Sequence, residues 1–217
     1  MNKTAAIAVS SLAGIAAIAA IAAATPSRSA VEGLASTAQT ATANLRTYKV
    51  DKVHTSVIFG IRHQGVTNFY GRFNEIDGEF SFDASNPGGG SFNFTIATNS
   101  VDTGNSDRDR HLRQADFFNS RQFPQITFRS TEVRRSGDKF ELVGDLSLHG
   151  ETKRITAEMD WIGTGRIRGT PAAGFEARFH IKRSDFGMTT YLAADGGEGG
   201  GLGNTVNLIV AVEGLAN

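Results

Sequence analysis

Cysteine is absent from the 217 residues. That excludes a disulfide framework, thiolate metal ligation, a covalently attached c-type haem and a lipid anchor on a modified cysteine, so stability has to come from core packing. Neither sign of charge is in excess. The 22 Lys and Arg balance 22 Asp and Glu, and no global field favours nucleic acid or an acidic polymer as partner. Catalytic signatures are missing too. No Gly-x-Ser-x-Gly elbow occurs, and His54, His63, His111, His149 and His180 lack the two-histidine helical spacing of a zincin, so no metal site is expected. The glycine-rich stretch Gly196–Gly203 is followed by neither Lys-Ser nor Lys-Thr and runs into a strand, which makes it a mobile hairpin loop, not a phosphate cradle. Acidic pairs such as Asp77 and Glu79 fall on the polar phase of a strand, whereas glycosidase chemistry needs two carboxyls facing across a cleft.

At the front of the chain, Lys3 precedes the Ala/Ile run Ala5–Ala24, and Ala22-Ala23-Ala24 offers a small-residue cleavage site. The reading is a signal peptide over residues 1–24 and export to the periplasm. An uncleaved anchor is the alternative, since about twenty apolar residues can just span a bilayer. Residues 25–46 are rich in Ala, Ser and Thr, the composition of a flexible linker. Residues 47–217 remain as one domain, long enough for a substantial core.

From Tyr48 onward, apolar residues recur with period two. Val57, Phe59 and Ile61 share a face; so do Ile76, Phe80 and Phe82, then Phe92, Phe94 and Ile96. The pattern returns in Ile126 and Phe128, in Phe140, Leu142, Leu146 and Leu148, and in Ile155, Ala157, Met159 and Trp161. It closes with Phe175, Ala177, Phe179 and Ile181, and with Val206, Leu208, Val210 and Val212. Turn clusters at Asn86–Gly90, Gly163–Gly174 and Gly196–Asn204 punctuate these runs. Strands with one apolar face, joined in series, are antiparallel and bury a single side. A closed barrel satisfies them without leaving an edge. The 15 Phe against 3 Tyr and 1 Trp give an aromatic, polar-poor interior, which serves equally as a packed core or as a ligand cavity.

One helix is expected over Asp107–Phe118, with Leu112, Ala115 and Phe118 on one side and Pro124 preventing its continuation. It can plug one end of a barrel or merely cover it.

The segment SDRDRHLRQADFFNSRQFPQITFRST (106–131), together with YKVDKVHTSVIFGIRH (48–63), GDLSLHGETKRIT (144–156) and IKRSDFGM (181–188), closely resembles the YceI family of polyisoprenoid-binding, lipocalin-like proteins. The resemblance covers about Thr47 to Asn217. It implies an all-β fold, an antiparallel eight-stranded lipocalin-like barrel with one short helix, enclosing an isoprenoid chain. It also implies a homodimer. Asp51 and His54 match the family's opening Asp-x-x-His and His63 its next histidine, all with an expected structural role.

On this reading the protein is an exported, non-enzymatic binder that sequesters or carries a polyisoprenoid or related amphiphile, such as an isoprenoid quinone or its precursor. It has no cofactor, no nucleic-acid partner and transient contact with the inner membrane. The expected lining is Phe59, Phe80, Phe82, Phe94, Phe128, Leu146, Met159, Trp161 and Phe179, each on the apolar phase of its strand. Arg108, Arg110, Arg113 and Arg183 are the candidates for meeting a head group at the mouth, because a guanidinium offers a rigid donor fork. A stress-related protein with a filled barrel, or an enzyme on a lipid or quinone using His63 or Asp185, are the competing readings.

Overall fold

The computed structural model describes residues 45–216, so the expected signal peptide (1–24) and nearly all of the linker (25–46) lie outside the described residues. Eleven strands and one α-helix follow in order: β1 Thr47–Val50, β2 Ser56–His63, β3 Thr67–Phe73, β4 Ile76–Ser81, β5 Ser91–Ala97, β6 Val101–Asp102, α1 Ser106–Leu112, β7 Gln125–Ser136, β8 Lys139–Leu148, β9 Glu151–Ile167, β10 Thr170–Lys182 and β11 Leu202–Ala216. Every pairing is antiparallel.

The eleven strands make eight walls. β1 and β2 both pair with β11, β4 pairs with β1 while β3 pairs with β2, and β5 pairs with β4 while β6 pairs with β3. Three walls are therefore strands in two pieces. β7 to β11 complete the circuit, and the contact of β11 with β1 and β2 closes it. The closed eight-stranded antiparallel barrel is the fold that the alternation and the resemblance both imply.

Two-residue turns hold the register. His149-Gly150 between β8 and β9, and Arg168-Gly169 between β9 and β10, all have positive φ, the geometry of the tight hairpin turn whose twist matches that of its strands. The second turn corrects the expectation of a loop over Gly163–Gly174. The ladder runs on through that segment, and Gly174 pairs with Gly163 where the register slips. β1 and β3 also go beyond the strands expected from the sequence. In β3, Phe73 is buried and Phe69 half-buried, while Tyr70 lies outside.

The helix is shorter than the expected Asp107–Phe118. Asn105 caps it by accepting from Arg108 N at 3.0 Å. After Leu112 the backbone N–H groups turn back irregularly, with Gln114 N donating to His111 O and Phe118 N to Leu112 O. Arg113 carries its Nε and Nη2 to the carbonyls of Asn99 and Val101, fixing the segment against the barrel rim, so tertiary hydrogen bonds end the helix well before Pro124. Among the described residues, no helix is long and apolar enough to cross a membrane.

Candidate ligand cavity

The barrel interior is divided along its axis. At one end the strands bring together Tyr48, Phe80, Phe82, Phe92, Phe140, Phe175 and Trp161 in edge-to-face and stacked pairs. Phe82 lies 4.9 Å from Phe140 at 84° and 4.8 Å from Trp161, and Phe80 lies 5.1 Å from Phe175 at 83°. Such offset geometries suit the ring quadrupole. Met159, with no exposed surface, completes this plug.

Above the plug the barrel is hollow. A cavity of about 290 Å³ runs toward α1, at the lower edge of the ~300–1,000 Å³ typical of small-ligand sites. Phe59, Phe94, Phe128, Leu146 and Phe179 face it, and Phe69, Phe117 and Phe118 close in near the helix. Every lining residue is apolar except His63, Arg108 and Arg183.

The expected lining set thus separates in two. Phe59, Phe94, Phe128, Leu146 and Phe179 line the cavity, whereas Phe80, Phe82, Met159 and Trp161 do not and belong to the aromatic plug. The strand phase was the same for all nine. Their height along the barrel axis differs, and period two carries no information about height.

The four arginines separate as well. Arg108 lines the cavity; Arg110 points to solvent and pairs with Asp107 at 2.8 Å; Arg113 is used on the rim carbonyls already described. Arg183, 4% exposed, donates to Gly203 O, Met188 O and Leu202 O at 2.7, 2.9 and 3.0 Å. Burial pushes its pKa below the usual guanidinium value, and it remains charged because that value starts so high. Its role is to tie the segment after β10 to the start of β11.

That segment contains the glycine-rich stretch, and it is pinned at several points. Leu202 N donates to Tyr191 O, Gln64 N to Gly201 O, Asn204 Nδ2 to Gly196 O and Thr205 N to Glu198 Oε1. Thr190 Oγ1 donates to Asp116 O, joining this cover to the segment after α1. β11 already begins at Leu202, inside the expected loop.

Asp51 and His54 sit outside the barrel, in the break between β1 and β2. His54 Nδ1 donates to Asp51 Oδ2 at 2.9 Å and lies 3.6 Å from Glu213 Oε1. The hydrogen bond holds the Asp51 carboxyl below the usual carboxylate range and raises His54. With Asp51 also accepting from Val53 N, the pair shapes the turn that breaks the strand. His149 has a comparable part: its Nδ1 donates to Phe186 O at 2.9 Å and its ring packs on Phe123.

The YceI-like domain model matches residues 48–214 of the chain. The chain belongs to the YceI family. Protein YceI of Salmonella arizonae and that of Salmonella paratyphi B are each 44% identical to it over 179 residues, covering 81% of this chain and 90% of theirs. The Campylobacter jejuni YceI protein superposes with a TM-score of 0.61 at 30% identity, over 77% of this chain and 96% of that one. BcnA of Burkholderia cenocepacia has the same fold, with a TM-score of 0.67 at 22% identity over 76% and 98% of the two chains. So does a polyisoprenoid binding domain from Saccharophagus degradans, with a TM-score of 0.58 at 16% identity over 80% and 99%.

Several lining residues of this YceI domain had a readable signal that strand phase alone did not reveal. Phe117 and Phe118 form the double phenylalanine after the helix, and they close the cavity from outside the strand pattern. Phe69 and Phe73 alternate in β3 with Asn68, Tyr70 and Arg72, a run diluted by an outward tyrosine and by Gly71.

Proposed function

We propose that the protein is an exported lipid-binding protein that holds the tail of a polyisoprenoid or related amphiphile, such as an isoprenoid quinone or its precursor, inside the barrel. The observation that carries this reading is the cavity lined by apolar side chains with only His63, Arg108 and Arg183 as polar exceptions. Membership of the YceI family supports it, as does the shared fold with a domain described as polyisoprenoid binding.

The mechanism is burial. Each tail carbon moved out of water contributes about 0.8 kcal/mol gross, and the ordering costs of association reduce the sum sharply. Affinity then rises with the length of tail that the hollow half accepts. The aromatic plug sets the depth. The cavity lining contains no carboxylate and one histidine, which gives an acid–base reaction at the buried tail no pair of groups to work with and favours a binder over an enzyme.

The reading includes export to the periplasm with cleavage after Ala24, transient contact with the inner membrane during lipid exchange, and a homodimer. The homodimer rests on the family resemblance; the shallow outer groove bordered by Ile58, Tyr70 and Ile209 is mixed in character, with Asn68, Glu158, Arg178, His180 and Asn207 also on it. N-terminal sequencing of the protein from its native host tests the cleavage, and sedimentation at micromolar concentration tests the dimer. The central test is solvent extraction of the purified protein followed by mass spectrometry, with a prenyl lipid expected. A well-folded protein that never carries or takes up a prenyl lipid refutes the function.

A further inference from the structure

The hollow half of the barrel is apolar, yet one cation facing it has an unused donor. Arg108 stands in the first turn of α1. Its Nε donates to Thr103 Oγ1 at 2.8 Å and its Nη2 to Thr103 O at 2.7 Å, while its guanidinium lies over the ring of Phe69 at 4.3 Å. Thr103 is itself fixed, because its N–H and its hydroxyl both donate to Asp109 Oδ1. Among the described residues Nη1 of Arg108, an exposed side chain, has no protein acceptor, and the guanidinium forms no ion pair with a carboxylate.

The other polar groups on the lining narrow the choice. Arg183 has each of its three nitrogens tied to a carbonyl, which leaves two of its five N–H groups but fixes its plane to the backbone. His63 faces the same space from the end of β2, and no Asp or Glu lines the cavity. A cationic head group entering here meets no carboxylate. A neutral hydroxyl accepts one hydrogen bond from the guanidinium. An anionic oxygen accepts the same bond and adds the attraction of the opposite charge, in the fork geometry that suits carboxylate and phosphate. The stacking on Phe69 and the two bonds to Thr103 already order the long side chain, so little entropy is lost when it engages a ligand.

We propose that Arg108 reads the head group of the bound lipid, and that the ligand is a single-chain amphiphile ending in an anionic oxygen group, a carboxylate or a phosphate monoester. This rests on the lipid-binding reading above and adds to it the chemical class of the head.

The test compares ligands with identical tails. Farnesyl phosphate and farnesol, and separately oleate and methyl oleate, are titrated against the full-length protein loaded with the neutral apolar dye N-phenyl-1-naphthylamine, for wild type, Arg108→Gln, Arg108→Lys and Arg110→Gln. Circular dichroism confirms that each variant is folded. Wild type and Arg110→Gln are expected to prefer the anion about tenfold or more, as pairing of opposite charges at the guanidinium implies, with a preference that falls as salt is raised. Arg108→Gln is expected to lose that preference while keeping its affinity for farnesol, and Arg108→Lys to retain part of it. The phosphate and carboxylate pairs decide which anion is preferred. Equal affinity for anion and neutral ligand in wild type, or a preference that survives Arg108→Gln, overturns the assignment to Arg108 while leaving lipid binding intact. If neither the dye nor any lipid binds, the lipid reading and this assignment fall together.

Discussion

The ring of Phe128 lies across Gly144 on the neighbouring strand, so close that a Cβ on that glycine would overlap the ring and approach Arg129 O at 2.5 Å. Phe59 lies over Gly71 in the same way, the Phe94 ring comes within 2.9 Å of a Cβ on Gly78, where Asn93 O is nearer still, and Phe80 reaches across β1 to Gly214. A ring laid over a glycine covers the wall and does not stand into the lumen. Phe59, Phe94 and Phe128 are three of the cavity-lining residues, and this arrangement lets so aromatic an interior remain hollow. Gly144→Ala should therefore cost about 1–3 kcal/mol, as overpacking does. Urea denaturation measures it. A loss within 0.5 kcal/mol, about the scatter of an ordinary surface substitution, would mean that the ring moves aside freely.

Plug and cavity should respond oppositely to truncation. Phe82, 5% exposed and wedged against Phe140 and Trp161, should lose about 3–5 kcal/mol of stability as Phe82→Ala. Phe179 is only partly buried and faces open volume, so Phe179→Ala should cost about 1–2 kcal/mol and change lipid retention more than stability. Thermal melts paired with lipid occupancy by mass spectrometry separate the two. If both variants lose stability equally and neither alters occupancy, the division of the barrel has no functional meaning.

Arg183→Ala removes three donors at once from the carbonyls of Gly203, Met188 and Leu202. Some of those carbonyls regain water near the mouth, so the expected loss is roughly 2–4 kcal/mol. Arg183→Lys should recover only part of it, because an ammonium cannot match the fork. Hydrogen exchange should quicken between Met188 and Asn204 while β8 and β9 keep their protection; uniform protection in the variant would count against the tie.

The Asp51–His54 pair gives a pH dependence of known sign. His54 is raised by its bond to Asp51, so its contribution is fully present below the ordinary imidazole pKa and fades as pH rises through the higher folded value. Asp51 is lowered, so its contribution is present above the ordinary carboxylate pKa and fades as pH falls through the depressed folded value. NMR titration should place His54 above a free imidazole, and Asp51→Asn should bring it back. An unchanged His54 titration in Asp51→Asn would assign the shift to Glu213 instead.

Period two in Phe140, Leu142, Leu146 and Leu148 sufficed to tell inside from outside, and the closed barrel follows from repeating that pattern without a spare edge. Three features did not follow. Phe80 and Phe94 obey the same alternation, yet one is plug and the other lining, because height in a barrel depends on strand tilt and stagger. The end of α1 at Leu112 depends on Arg113 reaching the carbonyls of Asn99 and Val101, contacts set by the completed fold. Arg108, Arg110, Arg113 and Arg183 look alike as cations in the sequence, and only their acceptors distinguish the head-group candidate from an exposed ion pair and two backbone ties.

The three walls built in two pieces lie side by side, and the other five are single strands. A single strand of thirteen residues such as β10, paired with β11 over residues 172–182 and with β9 over residues 170–178, opens only if a long ladder opens with it. A four-residue piece such as β1, or the two-residue β6, can part from its neighbour at the cost of a few bonds, and local opening favours such short ladders. The barrel is thus stiff around most of its girth and compliant along one seam, the same side from which α1 departs. A tail wider than the resting lumen would widen it there, as a stave barrel gives at its weakest joint.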